Sequence, residues 1–271
     1  MLDIRIDQAT GLRKLFRTPS VRVLPILAGG PVGHQIVALA EHFTECGERV
    51  LIIDQAQREI AQACRMVPDG TLADLLRGDA DFNEVSPFTE AGFRIMQAGA
   101  GYEVASERGI DVARIYSAFS GLPEPVDLVL VHVAHVHRLA RVVDRAGDVL
   151  LFADPSETAV AAAYQNLKVA VQAGRAVHVV IDSVSTEEIA TRTYRRIAAT
   201  SERFLGVVPR YAGWVAAQSI ASESAAKREH ADGKKPLAQL ARQILQWHLA
   251  EYPPAGQPMM ESMEINGASG D

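Results

Sequence analysis

The segment AGGPVGHQ (28–35) combines residue types and spacing that suggest chemistry, because it follows an apolar run and precedes a helix-like pattern. Loops that hold the phosphates of a nucleotide have the pattern G-x-x-x-x-G-K-S/T between a strand and a helix. In that frame Ala28 stands at the first glycine, Gly33 at the second, His34 at the lysine and Gln35 at the serine or threonine. The glycine-rich outline of such a loop is therefore present, but its charged and hydroxyl positions are changed.

Each change removes an interaction that a bound nucleoside triphosphate needs. The loop lysine carries a permanent charge, whereas His34 is shorter and is charged only when protonated. The hydroxyl holds Mg²⁺, for which the amide of Gln35 is a poor substitute, and Pro31 has no backbone N–H to donate. At roughly 1.5–3 kcal/mol for each charge-assisted bond, three losses amount to roughly 5–9 kcal/mol. The sequence therefore predicts an affinity for the triphosphate that is lowered about a thousandfold or more.

Several separate segments resemble the MinD/ParA family of P-loop ATPases. The family's loop looks like GKGGVGKS, and its first lysine is replaced here by Gly29. Where the family has D-A-D at the end of its second strand, the chain has Asp54 and then Ala56. Where the family has D-x-x-x-x-D, the chain has Asp127 and then His132. The resemblance therefore implies an ATP site that has changed at several separate points.

The resemblance covers most of residues 20–220. TLADLLRGDADFNEV (71–85), RIMQAGAG (94–101) and DPSETAVAAAYQNLK (154–168) are similar to stretches of the family, and Asp182 replaces its base-reading asparagine. The implied nucleotide-binding set, in degenerate form, is Gly29, Gly30, Gly33, His34, Gln35, Asp54, Asp127 and Asp182. We expect no catalytic residue and no metal ligand. The chain is expected to bind either no cofactor or ATP weakly. In the family ATP bridges a homodimer, and for this chain a homodimer stays one of two possibilities.

The N-terminal segment DQATGLR (7–13) resembles the D-Q-A-x-x-L-R segment of the FlhG/FleN family of flagellar number regulators. In that family the segment engages FlhF, a flagellar GTPase of the signal-recognition-particle type, and stimulates its GTP hydrolysis. The resemblance implies partner contacts through Asp7, Gln8, Ala9, Leu12 and Arg13. A short helix of this kind is marginal alone and gains order by docking on a partner. The alternative is an N-terminal helix that packs on its own domain.

The elements that must position these residues alternate between apolar runs and helical patterns. The predicted strands are VRVLPILA (21–28), RVLIID (49–54), FRIMQAG (93–99), DLVLVHV (127–133), DVLLFAD (148–154) and AVHVVIDSV (176–184). Strands that are apolar on both faces and separated by helices predict an α/β fold, with a doubly wound, mostly parallel sheet and helices on both faces. Because Pro25 lacks an N–H, we expect the first strand to be bulged or to start later.

The chain is divided here into a partner-binding helix (1–19), a P-loop-like domain (20–251) and a disordered tail (252–271). The last helix is predicted over 236–251, with Leu237, Leu240, Ile244 and Trp247 on one side. This helix either packs on the domain or contacts a membrane as a peripheral anchor. The histidines of HVAHVH (132–137) are not expected to bind a metal, since metal binding needs convergent geometry.

The net charge, the cysteine content and the N-terminal segment of the chain limit the classes of function that it could have. A net charge of −6 argues against coating nucleic acid, which needs clustered Lys and Arg. Two cysteines and an N-terminus without an apolar signal region favour the cytoplasm, either free or peripheral at the inner face of the membrane or the cell pole.

The sequence leads to one leading hypothesis and two alternatives. The first is a non-catalytic regulator of flagellar biosynthesis, number and placement that binds the flagellar GTPase. The second is an atypical MinD-like ATPase with a membrane-binding dimer cycle. The third is a MinD-like partner of another polar machine, such as cellulose secretion or plasmid partition.

Overall fold

The computed structural model of the chain describes residues 20–55, 58–145, 147–216 and 234–254. Eight strands form one sheet, in the order β3-β2-β4-β1-β5-β6-β7, and β8 pairs with β1. All pairings are parallel except β1 with β8. The strands are β1 (Val21–Ala28), β2 (Val50–Asp54), β3 (Arg94–Gln97), β4 (Leu128–His132), β5 (Asp148–Ala153), β6 (Ala176–Val184), β7 (Arg210–Ala216) and β8 (Ala250–Tyr252).

Helices cover both faces of this sheet, as the sequence predicts. They are α1 (Gly33–Glu45), α2 (Glu59–Cys64), α3 (Leu72–Arg77), α4 (Phe82–Val85), α5 (Gly101–Glu107), α6 (Val112–Ser120), α7 (Leu139–Val142), α8 (Glu157–Gln172), α9 (Glu187–Leu205) and α10 (Lys234–Ile244), with a 3₁₀ turn at Val136–Arg138. Within the described ranges, no helix is long and apolar enough to cross a membrane. The predicted α/β class and the mostly parallel, doubly wound sheet are confirmed.

Alternate side chains of the central strand enter two separate cores. Val23 and Leu27 of β1 pack with α6, α8 and α9 on one face. Leu24 and Ile26 pack with α1 and α10 on the other face. A strand whose side chains point to opposite faces must be apolar throughout when both faces are covered. This explains the near-continuous apolar runs from which the strands could be predicted.

The expectation of a bulged or shortened first strand at Pro25 is wrong. β1 runs from Val21 to Ala28 and keeps regular register with β4 through Pro25. The backbone N–H of Gly29 donates to the backbone oxygen of Phe152 in β5. Because backbone N–H groups alternate between the two sides of a strand, those of the odd-numbered residues of β1 point away from β4. On that side the pairing of β1 with β8 ends at Val23, and its pairing with β5 begins at Ile26. Pro25 therefore lies at the gap between two neighbouring strands, where the missing N–H costs no ladder bond.

The last helix is shorter than predicted. α10 ends at Ile244, and the chain then turns into β8 because the backbone N–H of His248 donates to Asp148 at 2.6 Å. Leu240 and Ile244 are buried against α1, so the apolar side of α10 packs on the domain and is not presented to a membrane. Tyr252 is buried and pairs with Val21, so the expected start of the tail at residue 252 falls inside a strand.

Candidate functional site

The carboxyl ends of β1, β2, β4, β5 and β6 meet at one edge of the sheet, which is where doubly wound folds bind ligands. The predicted phosphate loop lies at this edge, in the turn between β1 and α1. Gly29 passes close to the start of α8, because a Cβ on it would stand 3.0 Å from the backbone oxygen of Ala159. The turn therefore packs directly against the first turn of α8.

The helices that begin at this edge satisfy their first N–H groups in different ways. Ser156 caps α8 by accepting from the N–H of Ala159, and Thr186 caps α9 by accepting from the N–H of Ile189. The residue at the same position of α1 is Val32, which has no side-chain acceptor. The first N–H groups of a helix need a partner, and the helix dipole favours an anionic one. The start of α1 therefore needs an acceptor from outside its own N-cap residue, and its dipole favours an anionic one.

Glu59, the first residue of α2, supplies that anion. The N–H of Gly33 donates to its Oε1 at 2.6 Å, and the N–H of Val32 donates to the same oxygen. The carboxylate side chain is only 25% exposed. A Cβ on Gly33 would stand 2.9 Å from the backbone oxygen of Glu59, so this close approach requires glycine. The amides that cradle a phosphate in a phosphate-binding loop are therefore occupied by a carboxylate of the chain itself.

The two residues at the lysine and hydroxyl positions of the loop point in different directions. His34 is exposed on α1, while Gln35 is buried and donates from Nε2 to Oδ2 of Asp182 at 2.6 Å. Ser183 donates to the same oxygen at 3.1 Å, and Oδ1 of Asp182 has no hydrogen-bond partner among the residues that the structure describes. Burial raises the pKa of Asp182, and the nearby charge of Asp154 adds to this. Gln35 therefore turns towards β6 rather than towards a metal ion beside the loop.

His132 joins Asp54 and Glu59 into one chain of contacts. Its Nδ1 lies 3.1 Å from Oδ1 of Asp54, and its Nε2 lies 3.9 Å from Oε2 of Glu59. Oδ2 of Asp54 accepts the N–H of Ile60 at 3.1 Å and so holds the start of α2. Asp54 therefore positions the helix that carries Glu59, and His132 lies between the two carboxylates.

Asp127 does not belong to the site, which corrects the predicted nucleotide-binding set. It precedes β4, whereas the site lies where β4 ends at His132. Five strand residues separate the two positions by about 16 Å. The carboxylate of Asp127 instead accepts from Nε of Arg49 at 2.9 Å and from Nη2 at 2.6 Å. Its role in the structure is to join β4 to the residue before β2 at the opposite edge.

Some residues that the sequence analysis singled out lie outside the described ranges, and others do not form a common site. Asp7, Gln8, Ala9, Leu12 and Arg13 lie outside the described residues, as does Ala56. The rings of His135 and His137 stack on each other with centroids 5.5 Å apart, while His132 faces Asp54. Among the described residues, no three His, Cys, Asp or Glu side chains are grouped as a metal site requires.

Two residues of the site were not singled out from the sequence. Glu59 is one, and Asp154 is the other: it follows β5, accepts the N–H of Ser156 at 2.8 Å and lies beside Gly30. The available signal was position, since Asp154 ends one predicted strand and Glu59 follows another, so both fall at the carboxyl edge. The sequence did not indicate which of the polar residues at that edge would contact the loop.

Comparison with known proteins identifies the fold of the chain but no close relative in sequence. The sequence matches no protein-family profile and no curated protein. The structure is similar to a chain of the Aquifex aeolicus MinC:MinD cell division protein complex, with a TM-score of 0.63, 14% identity and coverage of 89% of this chain and 98% of that one. The fold is that of the MinD/ParA P-loop ATPases.

Two further structures have the same fold with nucleotide bound. MinD of Pyrococcus horikoshii with Mg-ADP has a TM-score of 0.57 and 15% identity, and the match covers 83% of this chain and 96% of that one. The Cyanothece McdA–ATP complex has a TM-score of 0.61 and 14% identity, with coverage of 83% and 96%. At these identities the similarity establishes the architecture, so the function must be argued from the site.

Proposed function

We propose that this chain is a cytoplasmic regulator of the MinD/ParA kind that acts through protein contacts and does not hydrolyse ATP. The observation that carries the proposal is the carboxylate of Glu59 on the N–H groups of Val32 and Gly33. A phosphate would have to take these two N–H groups from Glu59 before it gained any contact of its own. It would also approach a site whose neighbouring side chains include a second carboxylate, Asp54.

The energetic consequence can be estimated from the bonds that must be exchanged. Two charge-assisted bonds of roughly 1.5–3 kcal/mol each are lost when the carboxylate leaves, and a phosphate regains about the same. The exchange alone then contributes little net affinity. In a phosphate-binding loop the surplus comes from the lysine and the Mg²⁺ ion, and here His34 is exposed and Gln35 bonds to Asp182. The site therefore supports at most weak nucleotide binding.

Titration calorimetry of the full chain with Mg-ATP and with Mg-ADP tests this part of the proposal. We expect dissociation constants in the millimolar range or weaker, and no ATP turnover above that of buffer. A dissociation constant in the low micromolar range would reject the non-catalytic assignment. That result would favour the alternative of an atypical ATPase with a dimer cycle.

The proposed partner is the flagellar GTPase of the signal-recognition-particle type, FlhF. Support comes from the resemblance of residues 7–13 to the activating segment of the flagellar number regulators. A protein partner also fits the fold, because the Aquifex aeolicus MinD is known in complex with MinC. The proposed role is therefore in the number and placement of flagella.

Pull-down and GTP hydrolysis assays with the full chain test this partner. Gln8→Ala and Arg13→Ala should each weaken binding and abolish stimulation of GTP turnover. Thr10→Ala is the matched control, because Thr10 lies in the same segment at a position outside the pattern. If the wild-type chain neither binds the GTPase nor raises its turnover, the flagellar assignment is lost, while the ATP result stands independently.

A further inference from the structure

A second candidate site lies away from the edge where the carboxyl ends of the strands meet, and is beside the outer strand β3. It is an open cavity of about 450 Å³ between α4 and the turn at residues 121–125. Its walls are mostly apolar, and the charged groups among its lining residues are Arg94 and Glu124. The principal lining residues are Phe82, Phe88, Arg94, Leu122, Pro123 and Glu124. Cavities of 300–1,000 Å³ with apolar walls and a few polar groups are typical of small-molecule sites.

Arg94 places a buried positive charge in the wall of this cavity. Its side chain is only 7% exposed, and the guanidinium lies 3.7 Å from the ring centre of Phe88 and 5.2 Å from that of Phe82. Nη1 donates to the backbone oxygen of Ser86 at 2.6 Å, and Nη2 donates to Glu124 at 3.0 Å. These two bonds use two of the five N–H groups that a guanidinium can donate.

The anion that Glu124 supplies is a surface side chain. Glu124 is 66% exposed and contacts Arg94 through a single oxygen. Glu124 stands between Pro123 and Pro125, which restrict the backbone. The carboxylate of Glu124 can therefore move away from Arg94 by a rotation of the Glu124 side chain alone. An ion pair that is open to solvent on one side gains little net free energy. A carboxylate from a ligand can therefore replace Glu124 at low cost.

We propose that this cavity binds a small organic carboxylate with an aromatic or aliphatic body. The carboxylate pairs with the planar guanidinium of Arg94, a geometry that permits two parallel hydrogen bonds. The apolar body packs on Phe88, which is 49% exposed, and on Leu122 and Pro123. Glu124 is the internal competitor for the same N–H groups. This site is separate from the carboxyl edge of the sheet, and the proposal does not depend on the proposed function.

Calorimetric titration with 3-phenylpropionate and its neutral amide tests the proposal on the full chain. The carboxylate should bind the wild-type chain, and the amide should bind at least tenfold more weakly, because it lacks the charge-assisted bond. Glu124→Gln should tighten carboxylate binding about two- to fivefold, since it removes a charged competitor whose solvent-exposed ion pair is weak. Arg94→Met should abolish carboxylate binding.

Glu90→Gln is the matched control, because Glu90 is an exposed glutamate between β3 and Phe88 that does not line the cavity. It removes the same net charge and should leave the affinity unchanged. Three results would each overturn the proposal: no binding of 3-phenylpropionate to Glu124→Gln up to its solubility limit, equal tightening by Glu90→Gln, or equal affinity for the amide. Because Glu124 is a surface residue, its variant gives a decisive answer even if Arg94→Met fails to fold.

Discussion

Replacing Glu59 with alanine removes the anion that occupies the start of α1. The N–H groups of Val32 and Gly33 lose a shared acceptor with which each forms a charge-assisted bond of roughly 1.5–3 kcal/mol. The side chain is 25% exposed, so water can replace part of the lost bonding. We therefore expect the free energy of unfolding to fall by about 2 kcal/mol, which lowers the Tm of a domain of this size by about 4–8 °C.

The same substitution should open the start of α1 to an anion from solution. A helix N-terminus with two unpaired N–H groups attracts phosphate or sulfate. An anion present at tenfold its dissociation constant stabilises the folded state by about 1.4 kcal/mol. This corresponds to about 3–6 °C in Tm, so phosphate should restore most of the stability that Glu59→Ala loses. The wild-type chain should gain much less, because its own carboxylate competes for the same N–H groups.

Thermal unfolding in phosphate and in chloride at equal ionic strength measures both effects. Glu157→Ala is the matched control, because Glu157 is an exposed glutamate in the first turn of α8 at the same edge of the sheet. It should respond to phosphate as the wild-type chain does. If phosphate raises the Tm of the wild-type chain and of Glu59→Ala by the same amount, the carboxylate does not exclude anions and the reasoning is refuted.

Further substitutions test other contacts of the fold and site. Gly33→Ala should cost about 1–3 kcal/mol in urea unfolding, because its Cβ would stand 2.9 Å from the Glu59 backbone oxygen. Burial raises the pKa of Asp182, so its ionisation opposes folding. Asp182→Asn should therefore become more stable relative to the wild-type chain as the pH rises from about 4 to neutrality. Burial lowers the pKa of His178, so the wild-type chain should lose stability as the pH falls below about 6.5, and His178→Gln should lose less. Leu240→Ala should cost about 2–5 kcal/mol without changing sedimentation with lipid vesicles, because Leu240 is buried.

The interior strands could be predicted because they are apolar on both faces. β1, β2, β4, β5 and β6 are buried along nearly their whole length, and each was expected within one or two residues. β7 was not expected, because RYAGWVA begins with exposed residues and contains a glycine. The outer strand β3 was predicted all the same, because its residues are mostly buried. Burial on both faces therefore leaves a pattern in the sequence, and a partly exposed strand such as β7 leaves almost none.

The end of the last helix shows a second limit of local patterns. Leu240, Ile244 and Trp247 continue a helical spacing past the residue where α10 ends. The chain stops being helical because Asp148, far away in sequence, accepts the N–H of His248 at 2.6 Å and directs the chain into β8. A tertiary hydrogen bond overrides the local preference here, and the sequence alone does not reveal it.

The glycine pattern of the loop has a packing explanation that does not involve a nucleotide. Gly33 lets the start of α2 approach α1 so closely that a Cβ would stand 2.9 Å from the backbone of Glu59, and Gly29 gives a similar clearance of 3.0 Å to Ala159. These glycines would therefore be required even if no phosphate ever entered the site. The sequence could predict which polar groups the loop lacks, but it could not predict the contact with Glu59, which lies 26 residues from Gly33. A glycine-rich outline is thus compatible with a loop that binds its own carboxylate, and Gly33→Ala should weaken that internal contact without creating a nucleotide site.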